Sequence, residues 1–225
     1  MKRAAERWMG ALVALSAFLF YLARPSGFYN FDGVACAIAV ELGDFAHLTH
    51  GNHLAYGVLG WAFHRLLLLL GFGGTALLSL QLLDTLLGAA GVGLFYGWLK
   101  EQKIPGPAAL AASACLATSY AYWFWSLEAQ VYMLGAVFLL LAARELFSER
   151  PRPLLLGLLH AGAVLGHVGH VMFVPAALYL LRRGPGHKKA IRDYLAALAG
   201  AVLAAYAFAG AAMVAPRSGR ELTIW

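Results

Sequence analysis

The residues best able to do chemistry in this chain are carboxylates and imidazoles that lie beside long apolar runs. They are Asp32, Glu41, Asp44, His47, His50, His53, Glu128, His167 and His170. Because the Lys and Arg residues group elsewhere, all of these side chains can be placed on one side of a membrane and the cations on the other. Ionisable groups gathered at one membrane face indicate an enzyme or carrier site rather than a plain anchor.

Asp32 is the candidate catalytic residue. It follows the first apolar run and lies among Phe28, Tyr29 and Phe31. A carboxylate in that position could act as a general base, as a metal ligand or as the acceptor for a substrate hydroxyl. Asp32 also precedes the apolar run 34–40, where an aspartate is a good helix N-cap. The two roles are compatible.

Histidines recur every three residues at His47, His50 and His53. On an unbroken helix such residues are neighbours, and with a nearby carboxylate they could bind zinc or manganese. Gly51 and Asn52 favour a break in that helix, which would separate the rings. A divalent metal therefore remains an open alternative, and the acidic residues before His47 are equally well explained as a solvated helix face.

Two later stretches add polar groups to the ends of apolar runs. Glu128 begins one run, and Tyr132 lies one turn further along the same face. An acidic residue beside a span is a functional candidate, although a carboxylate that reaches the interface is an equal alternative. His160, His167 and His170 share one face of a later short segment, where we expect a polar lining for a cavity.

Polar residues also occur inside an apolar run and after the last one. Asp84 and Gln81 lie within such a run, so Asp84 must face protein or water, either as a functional group or to bond neighbouring helices. Arg217 and Arg220 follow the last run. They could hold a phosphate or could simply begin a loop.

Composition places these residues in a membrane protein. The chain is 61% hydrophobic and only 12% charged, far from the composition of soluble domains. Runs such as 75–99 and 190–215 exceed the roughly 20 residues that cross a bilayer. The net charge of +6 comes from basic residues in short loops, which does not indicate a nucleic-acid partner. Two cysteines provide no disulfide framework.

Four basic clusters predict the topology. They lie at 2–3, 100–103, 144–152 and 182–192. A cytoplasmic position for all four requires an even number of crossings between successive clusters. The apolar run 54–71 would make that number odd, and its stripe of His and Gly residues indicates an interfacial or re-entrant helix instead. The predicted crossings are 8–23, 74–99, about 107–124, about 128–147, a short pair within 153–182, and 190–215.

We therefore predict an all-α polytopic membrane protein with about seven transmembrane helices. It forms a single module, 1–225, with interfacial helices in a first outer loop, 24–73, and a short helix pair at 153–182. The run 8–23 is expected to stay as a span, because Ala23–Pro25 is a poor cleavage site. The expected location is the plasma (inner) membrane, with a cytoplasmic N-terminus and an extracytoplasmic active face.

In four places, in this order, the chain resembles the GT-C glycosyltransferase superfamily, and within it the protein O-mannosyltransferase-like membrane proteins. The similar stretches are Phe31–Gly33 with Val40–Gly43, His47–Leu66, Trp123–Tyr132, and Gly166–His170 through Pro175. The chain differs from the family pattern at Gln130, where an acidic residue is usual, and at Thr49–Asn52, where a proline pair is usual. The likeness covers what resembles the conserved N-terminal transmembrane module.

This resemblance implies a membrane glycosyltransferase that moves a sugar from a polyprenyl-phosphate donor to an extracytoplasmic protein, lipid or glycan acceptor. It implies Asp32 as the base, and Arg217 or Arg220 as the phosphate ligand. The implied substrate-binding residues are Glu41, His50, His53, Tyr56, Glu128, Tyr132, His167 and His170. Some relatives use a divalent metal. The alternatives are a carrier or flippase for a lipid or small anion, and a non-catalytic subunit of a membrane glycosylation complex that works with a partner chain.

Overall fold

The structure is a computed structural model that describes residues 2–43 and 45–211, and every regular element in that part is helical. The α-helices are α1 (Lys2–Leu22), α2 (Phe31–Leu42), α3 (Phe45–Leu48), α4 (Leu54–Leu69), α5 (Ala76–Glu101), α6 (Gly106–Thr118), α7 (Tyr120–Leu127), α8 (Tyr132–Leu146), α9 (Pro153–Gly166), α10 (Val174–Leu181) and α11 (His187–Ala209). A 3₁₀ helix, Val168–Phe173, separates α9 from α10. The all-α prediction is confirmed for this part of the chain.

Helix α5 is the centre of one half of the bundle. It packs against α1 in the antiparallel sense, because Gly93 near its end meets Gly10 near the start of α1. At the other end of the pair, Tyr21 and Ala17 of α1 pack with Ala89. A Cβ on Gly93 would lie 2.7 Å from the Gly10 carbonyl oxygen, so this approach depends on small residues.

Helices α8, α9 and α11 form the other half. Gly166 at the end of α9 lies against Gly135 near the start of α8, so these two helices are antiparallel. Gly157 near the start of α9 lies against Tyr194 near the start of α11. The Tyr206 hydroxyl, near the end of α11, donates to the carbonyl of Gly51. These contacts place α9 and α11 side by side in the same direction.

Basic clusters meet at one end of the bundle. The Arg144 Nε donates to Glu101 Oε2 at 2.7 Å, which joins the end of α8 to the end of α5. Arg152 pairs with Glu145 at 2.7 Å. Since α1, α9 and α11 also begin here, we call this the basic end, and the opposite end the polar end. Residues of the clusters 100–103 and 144–152 thus lie at the same end of the bundle.

Helix α4 lies beside the first half of α5 and runs in the opposite direction. Its Tyr56 bonds Asp84, whereas its His64, two turns later, bonds Ser79. A Cβ on Gly60 would lie 2.4 Å from a Leu80 methyl group, which shows how closely the two helices pack. Helix α4 is therefore the outer arm of a helical hairpin at the polar end.

Helix boundaries differ from the predicted spans in two places. The run 107–124 is interrupted at Ser119, which has extended backbone (φ −63°, ψ 135°) and bonds Leu116 through its hydroxyl. The run 128–147 becomes helical only at Tyr132, because Glu128 is extended with φ −96° and ψ 149°. The first break has apolar residues on both sides, whereas the second coincides with the polar residues Ser126, Glu128 and Gln130.

By length and composition, α5 and α11 can cross a membrane. The shorter apolar helices are Trp8–Leu22, α4, α6, α9 and Val168–Leu181. Helix length alone therefore identifies fewer crossings than the roughly seven predicted from charge. The two long helices support a membrane protein.

Candidate polar site at one end of the bundle

Four stretches that are distant in sequence converge at the polar end. A Cβ on Gly33 would lie 2.4 Å from the Ala129 carbonyl oxygen, so the start of α2 touches the turn before α8. The Val168 amide donates to the Asn52 carbonyl at 2.8 Å, which joins the turn before α4 to the turn after α9. We define the polar cluster as the side chains on these stretches: Asp32, His50, His53, Glu128, Tyr132, His167 and His170.

Asp32 lies in the first turn of α2 and is exposed. The N-cap is Asn30, whose side-chain oxygen accepts from the Gly33 amide at 3.1 Å, so the predicted capping role of Asp32 is wrong. Asn30 is the cap because it is the residue immediately before the helix and its short side chain can accept from an amide of the first turn. The carboxylate of Asp32 is thus left for other contacts, and its charge acts on His53.

His50 and His53 stack with their ring centroids 4.5 Å apart. Burial and the neighbouring His50 lower the pKa of His53 to about 4, against the opposing influence of Asp32. The ring is therefore neutral at physiological pH and carries both a donor and an acceptor nitrogen. His47 is not on the same helix, because α3 ends at Leu48 and His53 is the N-cap of α4.

His167 and His170 reach the cluster from the turn after α9. The His167 ring lies 5.2 Å from the Tyr132 ring, and its Nδ1 accepts from the Gly169 amide at 3.1 Å. Burial and the neighbouring His167 and His160 lower the pKa of His170. The His170 ring packs directly on Gly135 of α8, where a Cβ would lie 2.4 Å from His170 Nε2.

Glu128 and Gln130 lie in the extended turn before α8, and each side chain is only 2% exposed. This stretch begins where α7 ends, so its side chains are held by the packing of α7 and α8 rather than by a helix of their own. Sequence analysis placed Glu128 at a membrane interface as one alternative. In the structure its side chain is buried inside the polar end.

Asp84 is a site residue that sequence analysis left undecided. It is fully buried, and its Oδ2 accepts from the Tyr56 hydroxyl at 2.6 Å and from the backbone amide of Gln130 at 2.9 Å. Tyr56 thus contacts Asp84. The signal was present as a carboxylate inside an apolar run. Its partners were not predictable, because they lie 28 and 46 residues away.

Several buried polar atoms at this end have no hydrogen-bond partner among the residues that the structure describes. They are His53 Nδ1, Asp84 Oδ1, Glu128 Oε1, Gln130 Nε2 and His170 Nε2. Leaving a buried donor or acceptor unpaired costs about 1–3 kcal/mol, and native proteins hold few such atoms. These atoms can bond a polar ligand or water, although other buried atoms in the described part of the chain, such as Trp98 Nε1 and Ser148 Oγ at the basic end, are unpaired as well.

Glu41 lies apart from the polar cluster. Its Oε1 accepts from the Ala76 amide at 2.7 Å, and its Oε2 is 3.8 Å from His64 Nε2. Ala76 is about 12 Å from Asp84 along the axis of α5, at about 1.5 Å per residue. Glu41 therefore caps α5 and joins α2 to α4 and α5. The other predicted residues, Asp44, Arg217 and Arg220, lie outside the described residues.

No group of three or more His, Cys, Asp or Glu side chains is arranged to hold a metal ion within residues 2–43 and 45–211. What the polar cluster does offer is an exposed carboxylate, four imidazoles and buried acceptors with free lone pairs. Such groups bind a ligand rich in hydroxyls and can take a proton from it. No family model, curated protein or solved structure matches the chain.

Proposed function

We propose that this protein is a membrane glycosyltransferase of the GT-C type, which moves a sugar from a polyprenyl-phosphate donor to an acceptor on the outer face. The observation that supports it is the convergence of the polar cluster at the end of the bundle opposite the basic clusters. A sugar offers many hydroxyls to the unpaired buried atoms there. A carrier site near the middle of a membrane would need its polar groups at mid-height.

The proposed topology places the basic end in the cytoplasm and the polar end outside. Helices α1, α5, α8 and α11, the α6–α7 pair and the short pair 153–182 make about seven crossings, and α4 stays on the outer side. The non-helical turn of the short pair is bonded within the protein, since the Val168 amide donates to the Asn52 carbonyl at 2.8 Å, as a break in a membrane-embedded segment requires.

In the proposed reaction, Asp32 is the general base. Its carboxylate takes the proton of the acceptor hydroxyl as the hydroxyl oxygen bonds to the anomeric carbon. The bond from that carbon to the phosphate oxygen breaks, and polyprenyl phosphate leaves with the electron pair, so the configuration inverts. The His50, His53 and His170 rings hold sugar hydroxyls through their ring nitrogens. Glu128 accepts from a further hydroxyl.

The Asp32→Asn variant tests this assignment, because the amide keeps the shape and cannot take the proton. We expect transfer from radiolabelled polyprenyl-phosphate sugars in membranes to fall by about 100-fold or more, while insertion and folding stay normal. Asp193→Asn at the basic end is the matched control and should keep full activity. Wild-type turnover by Asp32→Asn would remove Asp32 from the mechanism. Absence of transfer by the wild type from every donor would favour the carrier or the non-catalytic subunit.

A further inference from the structure

A cavity of about 530 Å³ lies beside the polar cluster, between the end of α1 and α7. Its lining includes Phe20, Arg24, Ser26, Trp123, Phe124 and Leu127. The cavity lies near the polar cluster: its lining residue Leu127 precedes Glu128, and the ring of its lining residue Phe124 lies 5.9 Å from the ring of Phe28, four residues before Asp32.

The lining of this cavity favours an anion. Arg24 carries the charge, and no carboxylate lines the cavity. The Ser26 hydroxyl oxygen accepts from the Phe28 amide at 3.0 Å, which leaves its own proton free to donate. A guanidinium and a hydroxyl donor together suit a phosphate, which offers several acceptor oxygens.

A second cavity, of about 360 Å³, continues from the first along α1. Phe20 lines both, and the second cavity extends from it to Met9, between α1 and α6. Eleven residues of helix span about 16 Å at 1.5 Å per residue. The lining is almost entirely apolar, with Leu12 and Leu110 on its two sides. A phosphate pocket that leads into a long apolar groove matches a single-chain lipid phosphate.

We propose that these two cavities form the donor subsite, with the lipid phosphate at Arg24 and the prenyl chain in the groove along α1. The identity of the donor rests on the proposed function, whereas the phosphate and groove chemistry stand on the cavities. The sugar carried on that phosphate then lies at the polar cluster, within reach of Asp32. This subsite is formed within the described residues and does not require Arg217 or Arg220.

Equilibrium binding of a radiolabelled long-chain polyprenyl phosphate to the full chain, purified in neutral-lipid nanodiscs, tests the subsite. We expect Arg24→Gln to weaken binding about 10-fold or more and Arg24→Lys to weaken it less. Arg150→Gln, at an exposed site of the basic end, is the matched control and should bind as the wild type does. Ser16→Phe, which fills the groove, should weaken binding of the lipid without changing binding of inorganic phosphate.

Competitors separate the sources of the phosphate. The uncharged polyprenol of equal length and inorganic phosphate should each compete weakly, and phosphatidylglycerol should compete less well than polyprenyl phosphate. Unchanged binding by Arg24→Gln, or equal competition by polyprenol, would overturn the role of Arg24. Equal competition by phosphatidylglycerol would overturn the prenyl groove. Lipid binding that persists in a wild type with no transferase activity would contradict the proposed function and leave this subsite standing.

Discussion

At the residue scale, the Tyr56–Asp84 pair shows how an apolar bundle accommodates a carboxyl group. The hydroxyl of Tyr56 and the backbone amide of Gln130 both donate to one oxygen of Asp84, at 2.6 and 2.9 Å. All three groups are buried, so water does not replace a lost donor readily. This pair therefore fixes α4 and the turn before α8 against α5, and it supports the polar cluster from below.

Tyr56→Phe removes that donor and leaves the ring in place. We expect the free energy of unfolding to fall by about 1–3 kcal/mol, because the buried carboxyl group loses a partner. Tyr120→Phe is the matched control, since Tyr120 is 74% exposed, and should change stability by less than about 0.5 kcal/mol. Thermal unfolding of the detergent-purified variants measures both. Equal melting temperatures would show that the bond adds nothing to stability.

His53 gives the protein an acid-sensitive stability. Its pKa of about 4 in the folded state lies below the usual value near 6.5. Above pH 6.5 the ring is neutral in both states, so its full contribution is present. As the pH falls from 6.5 to 4, His53 becomes protonated in the unfolded chain but stays neutral in the folded chain, so the free energy of unfolding decreases.

We expect a loss of about 1 kcal/mol between pH 7 and 5, less than the full shift implies because solvent reaches part of the ring. Melting temperatures measured across this range should fall less steeply for His53→Gln than for the wild type. His187→Gln, at an exposed site of the basic end, controls for the loss of a histidine. Parallel slopes for His53→Gln and the wild type would assign the acid sensitivity elsewhere.

Residue types were the predictable part of the candidate site, and their partners were not. Asp32, the histidines and Glu128 were identifiable because ionisable groups beside apolar runs are rare. Asn30 took the cap because capping depends on where the helix starts, which a periodic apolar pattern leaves uncertain by a few residues. Glu41 was misplaced for a different reason: its partner, Ala76, is a backbone amide 35 residues away.

At the element scale, composition predicted helices well and their ends poorly. Apolar runs of 15 to 25 residues are helical because a membrane or a core leaves backbone groups no other partner. Apolar residues lie on both sides of Ser119 and of the stretch around Glu128, where the chain turns, so the mean hydropathy of these runs does not mark where the helices end. Those breaks create α7 and the extended turn that carries Glu128 and Gln130. The site thus depends on the features that hydropathy does not report.

A substitution at Gly57 tests how closely α4 packs against α3. A Cβ there would lie 2.2 Å from the Leu48 carbonyl oxygen, and this backbone atom cannot rotate away. Gly57→Ala should therefore separate α4 from α3 and lower the free energy of unfolding by about 1–3 kcal/mol. Gly97→Ala, on α5 with nothing within 4 Å, should instead gain about 0.5–1 kcal/mol from helix propensity. Chemical denaturation of both variants decides, and a stable Gly57→Ala would contradict the close packing.

At the scale of the whole molecule, the two ends have opposite chemistry. Ion pairs join the helix ends at the basic end, whereas imidazoles and the carboxyl groups of Asp32 and Glu128 gather at the polar end. Helices α1 and α5 are antiparallel, and so are α8 and α9. The starts of α1 and α9 therefore lie at the same end of the bundle as the ends of α5 and α8. The proposed topology, with an even number of crossings between the clusters 100–103 and 144–152, is compatible with both clusters lying at this end.

The orientation of the bundle is tested by labelling with a membrane-impermeant maleimide in intact cells. In a background of Cys36→Ala and Cys115→Ala, the exposed positions Gly27→Cys and Asn52→Cys should react from outside. Glu149→Cys, exposed at the basic end, should react only after permeabilisation. If α4 were itself a crossing, the chain would cross five times before residue 149, and Glu149→Cys would react from outside. That result would separate the polar cluster from a single membrane face and favour the carrier over the transferase.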